Sequence, residues 1–149
     1  MSYTDDFDAR LGNINLAPEA GEWAVVAMSC VAFADGDADE AEIARAEKLV
    51  VGSQVIQKTL GTDQARRLFD HELQALQVNP VGELEFQKAR LRDMAGRITI
   101  QEDRDAAFFT LVSMATADRE VSPAEYKLLV EFKEVIGSNV MIPMPQVNC

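Results

Sequence analysis

Residues 23–34 read Trp23-Ala24-Val25-Val26-Ala27-Met28-Ser29-Cys30-Val31-Ala32-Phe33-Ala34, twelve residues without a charge. As a helix this stretch is apolar on every side, so it offers no face to water and must be enclosed by other elements. Pro18 can start it, because a proline in the first helical turn loses no hydrogen bond. The helix is expected to run from Pro18 to about Ala34. Asp35-Gly36-Asp37-Ala38 breaks it, and Asp39 with Glu42 forms a capping box that opens a second helix from about Glu40 to Gly52 or beyond. An enclosed helix followed by an amphipathic one demands a multi-helix domain.

Outward from this pair the same signals recur. Thr62 is expected to cap a third helix to about Val78, with Leu68, Phe69, Leu73 and Leu76 on one stripe. Asn79-Pro80 opens a fourth to about Ile98, carrying Leu84, Ala89, Leu91, Met94 and Ala95. A fifth runs from about Asp103 to Ala117, where Asp118-Arg119-Glu120-Val121 interrupts. Ser122-Pro123-Ala124-Glu125 opens a sixth to about Ile136, and Gly137 ends it. No segment alternates like a strand. The fold class is all-α: a compact multihelical domain over 16–139, between an acidic N-terminal arm (1–15) and a C-terminal tail (140–149).

A shift of 83 residues lays the first helix pair on the last. Val25 meets Phe108, Met28 meets Leu111, Ala32 meets Ala115 and Ala34 meets Ala117. Asp35 then meets Asp118, Asp37 meets Glu120, Asp39 meets Ser122 and Glu42 meets Glu125. The apolar run, the Ala-Asp step and the capping box recurring at one offset point to an internal duplication of helix pairs.

The chain has 149 residues, with 25 acids, 14 Lys and Arg and one His, and a formal charge of −11. Its length and 48% apolar content suit one globular domain and exclude a disordered coil. The acidic balance argues against nucleic acid and against an anionic membrane surface as partners. Residues 1–42 hold ten acids against Arg10 alone, a net of −9, and the other 107 residues hold fifteen acids and thirteen bases, a net of −2. A cationic partner would therefore meet the first third. The N-terminus has neither the basic nor the apolar region of a secretory signal. The longest uncharged runs, of twelve residues, span about 18 Å as helices, short of the roughly 30 Å of a hydrocarbon core. Cys30 in a core helix and Cys149 at the last position make no disulfide framework. A cytoplasmic location is expected.

The acids of the two interhelical segments have two readings. Asp39, Glu42, Ser122 and Glu125 suit helix capping, each cap contributing about 1 kcal/mol. Asp35 and Asp118 follow the negative ends of apolar helices, where a carboxylate is disfavoured by about 0.3–1 kcal/mol. Asp37 and Glu120 add to the repulsion. Either these are exposed loops with local Asx-turn bonds, or their oxygens hold a hard divalent cation. The candidate metal ligands are Asp35, Asp37, Asp39, Glu42, Asp118, Glu120 and Glu125. A self-contained EF-hand is rejected: Glu40 occupies the sixth position, where Gly is needed, and Ala46 the twelfth, where a bidentate Glu is needed. Further ligands would come from the paired loop or from Glu22.

Other chemistry is missing. One His and two distant Cys cannot build a structural zinc site. Leu68 stands where a di-iron motif needs Glu before His71, and His71 reads as a solvated helix residue. No nucleophile elbow or phosphate loop is present. Arg66-Arg67 and Arg90-x-Arg92 read as helix faces balanced by Asp63, Asp70, Glu85 and Asp93. No enzyme is expected.

In Ala34-Asp35-Gly36-Asp37-Ala38-Asp39-Glu40-Ala41-Glu42 and Ala117-Asp118-Arg119-Glu120-Val121-Ser122-Pro123-Ala124-Glu125 the chain resembles the TerB family of tellurite-resistance proteins. Members carry an alanine-rich helix ending near Asp-Gly, then Ser/Asp-x-x-Glu, near both ends. The resemblance covers about residues 20–137. It implies about seven helices with internal pseudo-symmetry, in a bacterial cytoplasmic domain. It also implies a non-enzymatic role in tellurite or general stress resistance, through assembly with other proteins of that system. Family positions suggested to meet a divalent cation (Ca²⁺, Mg²⁺, Mn²⁺ or Zn²⁺) map onto Asp35, Asp39, Glu42, Asp118 and Glu125. Arg119 departs from the usual Gly and sets a cation beside Asp118. A metal-free co-chaperone-like adaptor and a homo-oligomer stay open.

Overall fold

A computed structural model of the chain describes residues 17–34, 40–117 and 121–142. Among these are seven helices and no strand: α1 (Pro18–Ala32), α2 (Glu40–Gly52), α3 (Gln54–Thr59), α4 (Thr62–Val78), α5 (Pro80–Arg97), α6 (Gln101–Ala115) and α7 (Pro123–Ile136). The all-α reading holds. The arm 1–15 and the tail beyond 142 lie outside the described residues. Val140 is buried, so packing reaches at least one residue past the expected end of the domain.

The apolar helix α1 is the centre. It packs against each of the other six helices, which is how a helix without a polar face escapes water. Trp23 joins four elements: its ring lies 6.5 Å from Phe108 of α6 and 6.2 Å from Phe132 of α7, and its indole N–H donates to the Leu91 carbonyl of α5 at 3.2 Å. Gly21 lets α3 approach, since a Cβ there would collide with the Thr59 hydroxyl and lie 3.6 Å from Ile56 Cα.

Helix starts follow the local signals. Pro18, Pro80 and Pro123 all sit in first turns. At α7 the capping box is complete: Ser122 Oγ accepts from the Glu125 N–H at 3.1 Å, and the Ser122 N–H donates to Glu125 Oε1 at 3.3 Å. Gly137 ends α7 in the left-handed region, with φ 69°.

Three expectations are corrected and one element is new. Thr62 is not a cap but the first residue of α4; Gly61, with φ 88°, is its N-cap. The short helix α3, capped by the Ser53 side chain, had no expectation, because six residues are too few to show a helical period. Ala89 is exposed, and Gln87 takes the buried place on α5. α1 and α6 both stop two residues before the expected ends, since their last turns tighten into i→i+3 bonds: Ala34 N–H donates to Val31 O and Ala117 N–H to Met114 O.

The helix bounds recur at the offset of 83. Pro18–Ala32 falls on Gln101–Ala115, and the start of α2 at Glu40 falls on the start of α7 at Pro123. The C-caps match as well: Phe33 has φ −102° and ψ 10°, its counterpart Thr116 φ −105° and ψ 10°.

Candidate functional site

Five of the seven candidate ligands, Asp35, Asp37, Asp39, Asp118 and Glu120, lie outside the described residues. What is described is the frame that presents them. α1 and α6 run in the same sense: the Ala17 N–H at the start of α1 donates to the Asp103 carboxylate of α6, and Trp23 further on meets Phe108. Both helices therefore end toward the same side of the bundle. Neither has a basic residue in its last turn, so nothing on the helix offsets the negative pole there. Asp35 and Asp118 each stand three positions past the last helical residue, Ala32 or Ala115.

The two described ligand candidates differ. Glu42 stands exposed in the first turn of α2. Glu125 is half-buried, with Oε1 committed to the capping box. It is a capping residue first. Glu22 is not a spare ligand, because it faces Arg90 Nη2 at 3.4 Å. Among the described residues no three His, Cys, Asp or Glu side chains converge as a metal site would require.

The structure also brings together polar groups that sequence reasoning missed. Glu72 of α4 is buried, and its carboxylate accepts from Gln87 Nε2 and, at 2.5 Å, from Arg90 Nη1. Gln87 is fully buried, and its Oε1 has no partner. Arg90 bridges Glu72 to Glu22, so α1, α4 and α5 meet through one guanidinium. Arg90 is thus no ordinary surface base, and Arg66 likewise pairs with Glu47 at 3.2 Å rather than with a neighbour on its own helix. The readable signal was a polar residue on an apolar stripe: Glu72 within Phe69, Leu73 and Leu76, and Gln87 within Leu84, Leu91 and Met94.

Burial also acts on Asp103 and Glu47. Burial pushes Asp103 above the ordinary range against the pull of the Ala17 N–H; Glu102 and Glu19 add to the rise, and one oxygen is unpartnered. Burial and a hydrogen bond with Asp70 push Glu47 up, while Arg66 lowers it. The core offers little chemistry. Burial pushes the Cys30 thiol up to about 12, so thiolate at neutral pH is negligible, and His71 points into water as expected. No described helix is long and apolar enough to cross a membrane.

Comparison with curated proteins gave no match, and comparison with solved structures gave none either. A family model described as "Tellurite resistance protein TerB" matches residues 22–140, from the second turn of α1 to just past α7, and so takes in all or most of each of the seven helices. On that match the chain belongs to the TerB family of tellurite-resistance proteins.

Proposed function

We propose that this chain is a non-enzymatic bacterial tellurite-resistance or stress-response protein. Its two acidic interhelical segments bind a divalent cation and thereby assemble it with other proteins of the same system. The observation that carries the reading is the frame. Two helices running in the same sense, with the same C-cap geometry at the same offset, are followed in the sequence by the acidic stretches 35–42 and 118–125. The same recurrence supports an internal duplication of the helix pair. Oxygen-only donors suit a hard cation, whose charge would offset carboxylate repulsion. A cytoplasmic location goes with this reading.

Calorimetric titration with Ca²⁺, Mg²⁺, Mn²⁺ and Zn²⁺ tests it, alongside thermal unfolding in each ion. Heat and a raised Tm with at least one ion, both lost in Asp35→Ala/Asp118→Ala, are expected. No heat and no stabilisation from any of them would remove the cation from the proposal.

One observation favours a second reading, a metal-free interaction module of co-chaperone-like type. Glu125 is already satisfied by the capping box, and its acidic neighbours would then serve as caps and as a soluble docking face. Under that reading the double variant folds with unchanged Tm in every ion and loses only its partner.

A further inference from the structure

Most large apolar side chains here are buried, but Val78, Val81, Phe86, Ile100 and Met141 are exposed. Three of the five are near one another in the sequence: Val78 ends α4, while Val81 and Phe86 lie on the two flanks of the outer side of α5, 80% and 59% exposed. Around them the outward face of α5 continues through Glu85, Ala89, Arg92, Asp93 and Gly96, all exposed. The opposite side of α5, through Gln87, Leu91, Met94 and Ala95, is spent on the core.

We propose that this outward face of α5 is a self-association surface, pairing antiparallel with α5 of a second copy of the chain about a two-fold axis at Ala89. The face is complementary to itself. At 3.6 residues per turn Glu85 and Arg92 lie on one flank of the helix, Glu85 four positions before Ala89 and Arg92 three after it. A two-fold axis through Ala89 keeps each flank against its own copy and reverses direction. It sets Glu85 level with Arg92 of the second copy, and Arg92 level with Glu85 of the second copy. Both groups are available: Arg92 makes no ion pair among the described residues, and Glu85 has only Lys88 at 3.9 Å, itself held by Glu131 at 3.0 Å. Phe86 and Val81 then leave water on either side of the axis. The centre of the contact is a methyl group, and a Cβ at Gly96 would meet nothing within 4 Å, so the partner helix is not held off.

Each copy carries −11, which opposes association, but α5 itself holds four bases against three acids, so this helix adds no net repulsion of its own. α5 is about 27 Å long, and one helix pair of that length buries an area at the low end for specific interfaces, near 1,000 Å². The dimer is accordingly concentration-dependent.

Analytical ultracentrifugation of the full chain from about 10 μM to about 1 mM tests this, with far-UV circular dichroism confirming that each exposed-face variant keeps its helicity. Wild type is expected to dimerise within that range. Phe86→Asp is expected to abolish the dimer. Glu85→Arg and Arg92→Glu each turn two attractions into two repulsions and weaken it about tenfold, and the double reversal restores it. A chain that stays monomeric throughout overturns the proposal. A dimer indifferent to Phe86→Asp and to both single reversals overturns it equally, by placing the contact elsewhere. Neither result bears on cation binding by the acidic segments, which is read separately.

Discussion

The pair α1–α2 and the pair α6–α7 share their starts at one offset, and α1 and α6 share their length and C-cap angles, yet the pairs do different work. α1 is sealed on every side, and α6 is not. The start of α6 carries Glu102, Asp103, Arg104 and Asp105, and the last two of these act as ties. Arg104 donates to the Ile98 carbonyl at 2.6 Å and to Ala95 O at 3.3 Å, capping the end of α5, and Asp105 Oδ1 receives Ser138 Oγ and the Asn139 N–H at 2.9 Å each. The second helices diverge further. α7 buries Leu128, Leu129, Phe132 and Ile136, whereas α2 buries only Ala46 and Val50. One sequence pattern therefore sets local geometry, while place in the bundle sets what each helix pair contributes to stability.

The largest expected effect tests that contrast directly. Phe132→Ala should cost about 3–5 kcal/mol on chemical denaturation, from lost burial and a cavity beside Trp23. Leu49→Ala, its counterpart at the same offset but only half-buried, should cost about 1 kcal/mol. Equal losses would erase the distinction between α2 and α7. Next, Gly21→Ala should cost about 1–3 kcal/mol by pushing α3 off α1; a neutral result would mean that Thr59 simply turns away. Ser122→Ala should remove about 1 kcal/mol through the lost cap of α7. Asp39→Ala sharpens the comparison, because a similar loss would make α2 as well capped as α7.

The smallest effect is tied to pH. Asp103 titrates above the ordinary carboxylate range, so the folded state holds its proton more tightly than the unfolded chain does. Its ionisation thus destabilises the fold at neutral pH, and the penalty fades as pH falls through the raised pKa toward the usual value near 3.9. Asp103→Asn should raise Tm modestly at pH 7, with the gain vanishing by about pH 3.5. A gain independent of pH would refute the sign.

Much of the bundle was legible because its signals are local. Three prolines, one capping box and one left-handed glycine mark element ends within a turn of where they fall, and an uncharged run like 23–34 can only be enclosed. The buried polar groups were not legible in the same way. Whether Glu72 faces water or core depends on Arg90, eighteen positions away and on another helix, and the burial of Asp103 depends on Ala17. Partners of that kind are set by packing, so a residue list shows only the anomaly of a polar side chain on an apolar stripe. Of the candidate site, the sequence offered the acids and their spacing; the parallel course of α1 and α6 needed coordinates.

The central seat of α1 bears on how the chain reaches its native state. This helix is synthesised early, yet the surfaces that enclose it include α6 and α7, more than 80 positions later. At about 5–20 residues per second, roughly 4–17 s pass between the synthesis of Ala32 and that of Ala115. Throughout that interval the stickiest segment of the protein waits for its cover, so productive folding is gated by the arrival of the C-terminal third, and a translational pause before α6 should lower soluble yield more than one after α7.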